Sequence, residues 1–138
     1  MSSPWLPLPG VPPLLTRTPP LLFEADRELD IRTELESAGA RLSTIDLGVV
    51  TTDFDFFAQL RTVLVFPDWC GSGWDPIEDA FEEIRASSSF PCFVVAHGLQ
   101  HLLRRELHLG LEIVIRLSEL QAAFALAGDQ FVVVYQVE

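Results

Sequence analysis

Apolar residues recur along this chain in two rhythms, one at the strand period and one at the helix period. Phe131–Val137 is, apart from Gln136, a run of β-branched and aromatic residues and predicts a strand. Pro91–Ala96 is apolar without alternation, which predicts a strand covered on both faces, as in parallel sheets. Arg41–Leu47, followed by Gly48, and the shorter Leu21–Ala25 read as further strands. Between them the spacing turns helical. Asp26–Ala38 carries Leu29, Ile31 and Leu35 and stops at Gly39. Thr52-Asp53-Phe54-Asp55 has the spacing of a capping box and opens a helix to about Val65, with Phe54, Phe57, Leu60 and Leu64 predicted to be buried. That helix must end before Pro67, because proline pushes its predecessor out of the helical region. Leu99–Leu107 predicts a short helix. Leu111–Ala127 predicts a longer one, with Ile113, Leu117, Leu120 and Phe124 inward, a surface Glu112–Arg116 pair, and Gly128 as its stop. Strands alternating with helices give an α/β fold built on a small parallel sheet.

One stretch carries two unlike faces. After the loop Phe66-Pro67-Asp68-Trp69-Cys70-Gly71-Ser72-Gly73, the residues Trp74, Ile77, Phe81 and Ile84 recur at helical spacing and line one side of a helix reaching Ile84. Asp75, Glu78, Asp79, Glu82 and Glu83 gather on the other, with no cation among them. Like charges one turn apart repel at a cost of a few tenths of a kcal/mol per pair, so such a face suits a cationic partner. Asp75 also reads as an N-cap, with Pro76 at the first helical position and Glu78 completing a capping box. A helix starting at Gly73 is equally compatible with the residues. Gly71 and Gly73 permit positive φ and a close backbone approach.

Charge narrows the function classes. The 138 residues carry a formal net charge of −11, and all nine cations are arginine. Binding to nucleic-acid phosphates rests on Lys and Arg, so direct nucleic-acid binding is not expected, whereas an acidic domain steers toward basic proteins. Two cysteines, Cys70 and Cys92, make no disulfide framework and read as reduced, partly buried thiols. The absence of a secretory signal pattern or a membrane-spanning run predicts a cytoplasmic chain that meets no membrane. His97, His101 and His108 lack a Cys or carboxylate at metal-ligand spacing, so neither metal nor cofactor is expected. Paired Asp75 and Asp79 on an exposed face lack the shielding that would split their pKa values, and no nucleophile elbow or phosphate loop occurs. The expectation is a non-enzyme. Seven of the ten prolines fall in residues 1–20, from Pro4 through Pro12-Pro13 to Pro19-Pro20. They predict an extended tail, lying on the domain through Trp5, Leu6 and Leu8, ahead of a single domain over 21–138.

The motif Phe66-Pro67-Asp68-Trp69-Cys70-Gly71, then Trp74-Asp75, then Asp79-Ala80 resembles the central signature of the barstar family of barnase-type ribonuclease inhibitors. The resemblance covers about residues 41–138. Gly73 stands where the family commonly has Asn, Cys70 replaces a second loop aromatic, and Glu78 takes the place of a helix tryptophan. The resemblance implies a three-stranded parallel sheet packed with helices, or four strands if Leu21–Ala25 adds an edge. It also implies an intracellular inhibitor or immunity protein, a monomer when free, whose partner is a basic extracellular-type ribonuclease or a nuclease toxin domain. In that role Asp79 substitutes for the scissile phosphate, Asp75 pairs with a neighbouring arginine of the enzyme, and Trp69 packs as a rim anchor. Gly71 and Gly73 shape the loop, Glu78 exchanges apolar area for charge, and Trp74 and Glu82 complete the nuclease-binding segment. The alternative from another class is a non-inhibitory module that docks a different basic protein with the same acidic face.

Overall fold

A computed structural model describes residues 5–9 and 14–138. In chain order, β1 (Leu21–Glu24) leads through a 3-10 turn to α1 (Glu28–Ser37) and β2 (Arg41–Asp46). Then come α2 (Asp53–Val63), α3 (Trp74–Asp79), α4 (Phe81–Ser87) and β3 (Cys92–His97). The chain ends with α5 (Leu99–Arg105), α6 (Leu107–Leu126) and β4 (Phe131–Val137). The four strands form one parallel sheet in the order β1-β4-β3-β2, so Leu21–Glu24 does add the edge strand.

The apolar runs explain the layering. Successive strand side chains point to opposite faces, and β4 divides accordingly. Phe131, Val133 and Tyr135 join Val94 and Ala96 under α2 through α6. Val132 and Val134 join Phe93 and Val95 on the other face, where α1 contributes Ile31 and Leu35. Both central strands are therefore covered on both sides, as the lack of alternation in β3 predicts for that strand.

The second face is completed by the N-terminal segment. Leu14 is fully buried, Leu15 N–H donates to the Leu22 carbonyl at 2.7 Å, and Leu6 and Leu8 pack on the same cluster. The buried Gln130 side chain pairs with the backbone of Leu6 twice, accepting from its N–H and donating to its carbonyl, each at 2.7 Å. Trp5, expected to anchor this segment, is exposed instead. Pro4, Pro12 and Pro13 lie outside the described residues. Among the described residues, no helix is long and apolar enough to cross a membrane.

Three expectations need correction. The capping box at Thr52 forms, but it sets the phase of α2 so that Phe56, Phe57, Leu60 and Val63 turn inward while Phe54 is 70% exposed. The long helix starts at Leu107, not Leu111, because Gly110 lies inside it. A Cβ on Gly110 would stand 2.7 Å from Leu103 Cδ2, so glycine there lets α5 and α6 approach closely and does not end a helix. The chain bends four residues earlier, at Glu106. Arg116 meets Glu119 at 3.9 Å, and no Glu112–Arg116 pair forms.

The lead-in is tied to the sheet by a polar cluster at the ends of β3 and β4. Glu28 Oε1 lies 2.6 Å from His97 Nε2 and accepts from Gln136 Nε2 at 3.2 Å. Its other oxygen accepts from Arg32 Nε at 2.9 Å, and Arg32 also donates to Thr44 Oγ1. Burial favours the neutral Glu28 carboxyl, but hydrogen bonds and charge from Arg32 and His97 outweigh it and hold the group below its ordinary 4.5. A carboxyl depressed in the folded state stabilises the fold while ionised, fully above pH 4.5 and progressively less as pH falls through the depressed value. Glu28→Gln is therefore expected to be less stable than the parent at neutral pH and to converge on it in acid. Denaturant midpoints measured across that range check this, and a gap that stays constant into acid would contradict it.

Candidate functional site

The loop between α2 and α3 is held by its own backbone and by two side chains. Cys70 N–H donates to the Pro67 carbonyl at 3.0 Å, closing a turn after the proline. Arg61 on α2 donates to the Cys70 carbonyl at 2.7 Å while its guanidinium sits 4.9 Å from the Phe66 ring centroid. The Cys70 sulfur is buried, 3.4 Å from the Gly71 carbonyl and 3.5 Å from that of Pro76, which ties the loop to the first turn of α3. Burial pushes this thiol up, with Arg61 opposing and the nearby Asp79 charge adding to the rise, so Cys70 stays neutral. An aromatic ring at this position could not supply such a compact internal tether.

Gly73 caps α3 with φ of +137°, a conformation that disfavours any side chain, and Pro76 Cδ would lie 3.3 Å from an added Cβ. The helix starts at Trp74, so Asp75 and Pro76 are its second and third residues. The capping box from Asp75 to Glu78 does not form. Asp75 is thereby released from an internal task. Trp74 packs across α2, 5.0 Å from the Phe57 centroid and 5.6 Å from that of Phe56, and is half-buried. This aromatic contact fixes the rotation of α3. With Ile77 buried beneath, Asp75, Glu78 and Asp79 are turned to solvent.

The helix expected to run unbroken to Ile84 divides at Ala80, whose φ and ψ of −96° and 5° end α3 before α4 begins. Ala80 and Ile84 are buried at the bend. The division separates the acids into two groups. Asp75, Glu78 and Asp79 on α3 have no hydrogen-bond or salt-bridge partner among the described residues. On α4, Glu82 accepts from Arg85 Nη1 at 2.8 Å, and Glu83 accepts from the Trp69 indole N–H at 3.1 Å. Arg85 also donates to Asp129 at 2.7 Å and to the Ala127 carbonyl at 2.8 Å, anchoring α4 to the end of α6. Sequence spacing offered the Glu82–Arg85 pair, since Arg85 lies three residues on. The Trp69–Glu83 contact joins residues 14 apart and has no local signal. It orients Trp69, which is 58% exposed beside the acidic face.

Of the residues singled out in the sequence, Trp69, Asp75, Glu78 and Asp79 thus stand exposed on neighbouring elements. Gly71 is exposed in the loop, Gly73 and Trp74 serve the local architecture, and Glu82 is engaged within the chain. No curated protein matches the chain. A family model described as Barstar (barnase inhibitor) matches residues 40–136. The match takes in the loop, α3 and α4, and three of the four strands, leaving β1 and α1 outside it.

Proposed function

The chain belongs to the barstar family, and from that premise we propose that it inhibits a basic ribonuclease or nuclease toxin domain by seating α3 and the preceding loop in the catalytic cleft. The observation that carries this reading is the set of three exposed, internally unpartnered carboxylates on one short helix, in a chain of net charge −11. A ribonuclease that cleaves without a metal holds the scissile phosphate with Arg, Lys and His, aimed where negative charge develops. A carboxylate presented on a rigid support satisfies the same donors with charge-assisted hydrogen bonds. Desolvating that charge is favourable only where partners are already in place, as they are in a cation-rich pocket.

Asp79 takes the phosphate position in this reading, and Asp75, one turn back, meets a second cation of the enzyme. Trp69, oriented by Glu83, packs on the rim. Glu82, already held by Arg85, has a peripheral part. The acidity of the whole chain accelerates encounter with a basic partner, an effect that weakens with salt. Such an inhibitor acts where its host keeps the enzyme from cellular RNA, which agrees with a cytoplasmic site of action.

Titration into an RNA-cleavage assay with barnase tests the reading. Activity is expected to fall to the baseline at stoichiometric amounts of the chain, and full activity in the presence of excess chain would overturn it. The same acidic face could instead dock a basic protein that is not a nuclease. Affinity capture with the purified chain separates the two by whether the retained protein cleaves RNA.

A further inference from the structure

Beside the acidic face of α3 lies a groove of about 330 Å³ between α3, α4 and α6. Its walls are apolar. Trp74, Ile77 and Phe81 form one side, and Leu120 and Ala123 of α6 form the other. Both aromatic walls are fixed from behind, Trp74 by Phe56 and Phe57, and Phe81 by Phe124 at a centroid distance of 4.8 Å. The groove is therefore formed before any ligand arrives, which lowers the ordering cost of filling it. Its rim is anionic. Glu78 and Glu119 outnumber Arg116, which lies 3.9 Å from Glu119, and Glu78, next in the chain to Asp79, has no partner among the described residues.

We propose that this groove is a specificity pocket that receives one aromatic side chain with a polar tip, a tyrosine or tryptophan, from the nuclease. The inference rests on α3 facing the nuclease, as set out above. An aromatic ring suits the volume and meets Trp74 and Phe81 in the edge-to-face arrangements that such rings prefer. A purely aliphatic side chain would cover Glu78 without giving it a donor, and a covered, unpartnered carboxylate is costly. A phenol hydroxyl or an indole N–H supplies that donor. An acidic side chain would be repelled by the rim, and an excess of negative charge there matches a partner surface that is basic overall. Glu78 then selects among nucleases, while Asp75 and Asp79 supply the contacts common to their phosphate sites.

The test is calorimetric titration of barnase with the parent chain, Ala123→Leu, Ala123→Met and Asp79→Ala. Ala123 is half-buried on the α6 wall, so the larger side chains fill the groove without touching an acid. Both Ala123 variants are expected to bind about tenfold more weakly than the parent, as when a buried anchor is lost from an interface. Their thermal midpoints should match the parent, and Asp79→Ala should lose far more affinity. If the Ala123 variants bind as the parent does while Asp79→Ala is impaired, the groove stays empty in the complex and this inference fails alone. If none of the variants is weakened relative to a parent that binds, α3 is not the contact and the proposed function falls with the groove.

Discussion

Asp79→Ala is expected to weaken nuclease binding roughly 100- to 4,000-fold, the equivalent of about 3–5 kcal/mol for removing one member of a buried, hydrogen-bonded charge pair. Most of that cost falls on the enzyme, whose clustered cations would be left covered and without a counter-charge. The fold itself should barely respond. Asp79 is exposed at the end of α3 and accepts no hydrogen bond from a described residue. Surface changes of that kind stay within about 0.5 kcal/mol. Binding and stability are therefore predicted to separate cleanly, which inhibition titrations and denaturant midpoints on the same preparation can show. A variant that inhibits as well as its parent would remove Asp79 from the interface. One that unfolds would assign it a structural part that its surroundings do not suggest.

The largest stability effect is expected away from that face. Phe124 is fully buried on α6 with its ring 4.8 Å from Phe81, 5.2 Å from Phe90 and 5.3 Å from Phe131, centroid to centroid. One side chain thus joins α4, the segment entering β3, and the start of β4. Phe124→Ala removes ring contacts in three directions and leaves a cavity that none of these elements can close alone, at a cost of about 3–5 kcal/mol. Because Phe81 loses its backing, the bend at Ala80 loosens with it. A lowered denaturant midpoint with an unchanged slope is the expected signature. A shift below about 1 kcal/mol would mean that the three elements hold together through other contacts.

Regular patterns were legible where local rules and burial agree. Phe131–Val137 forms the strand that its composition indicates, and the unalternating β3 is covered on both faces as that pattern requires. Thr52 and Asp55 form their capping box. Features decided by tertiary contact were harder to read. Both Phe54 and Phe56 follow the cap within one turn, and only packing against Trp74 shows which of them is inside. The gap between the two helices expected at 99–107 and 111–127 holds Gly110, and a missing side chain reads the same whether it ends a helix or admits Leu103. The bend at Ala80 has no glycine or proline to announce it. Even so, the acids of α3 face outward as the spacing implies, since Trp74 and Ile77 take the inner positions. Glu82 was grouped with the cation-free acids although Arg85, three residues on, engages it, and Trp69 finds Glu83 only once the loop has folded back.

The central claim is that α3 occupies the place of substrate phosphate. It is tested most directly by titrating the chain into barnase already saturated with an active-site mononucleotide. If α3 fills the phosphate site, apparent affinity falls in proportion to nucleotide occupancy, and bound nucleotide is released as the chain is added. Undiminished affinity, with the nucleotide still held in the resulting complex, would contradict the account.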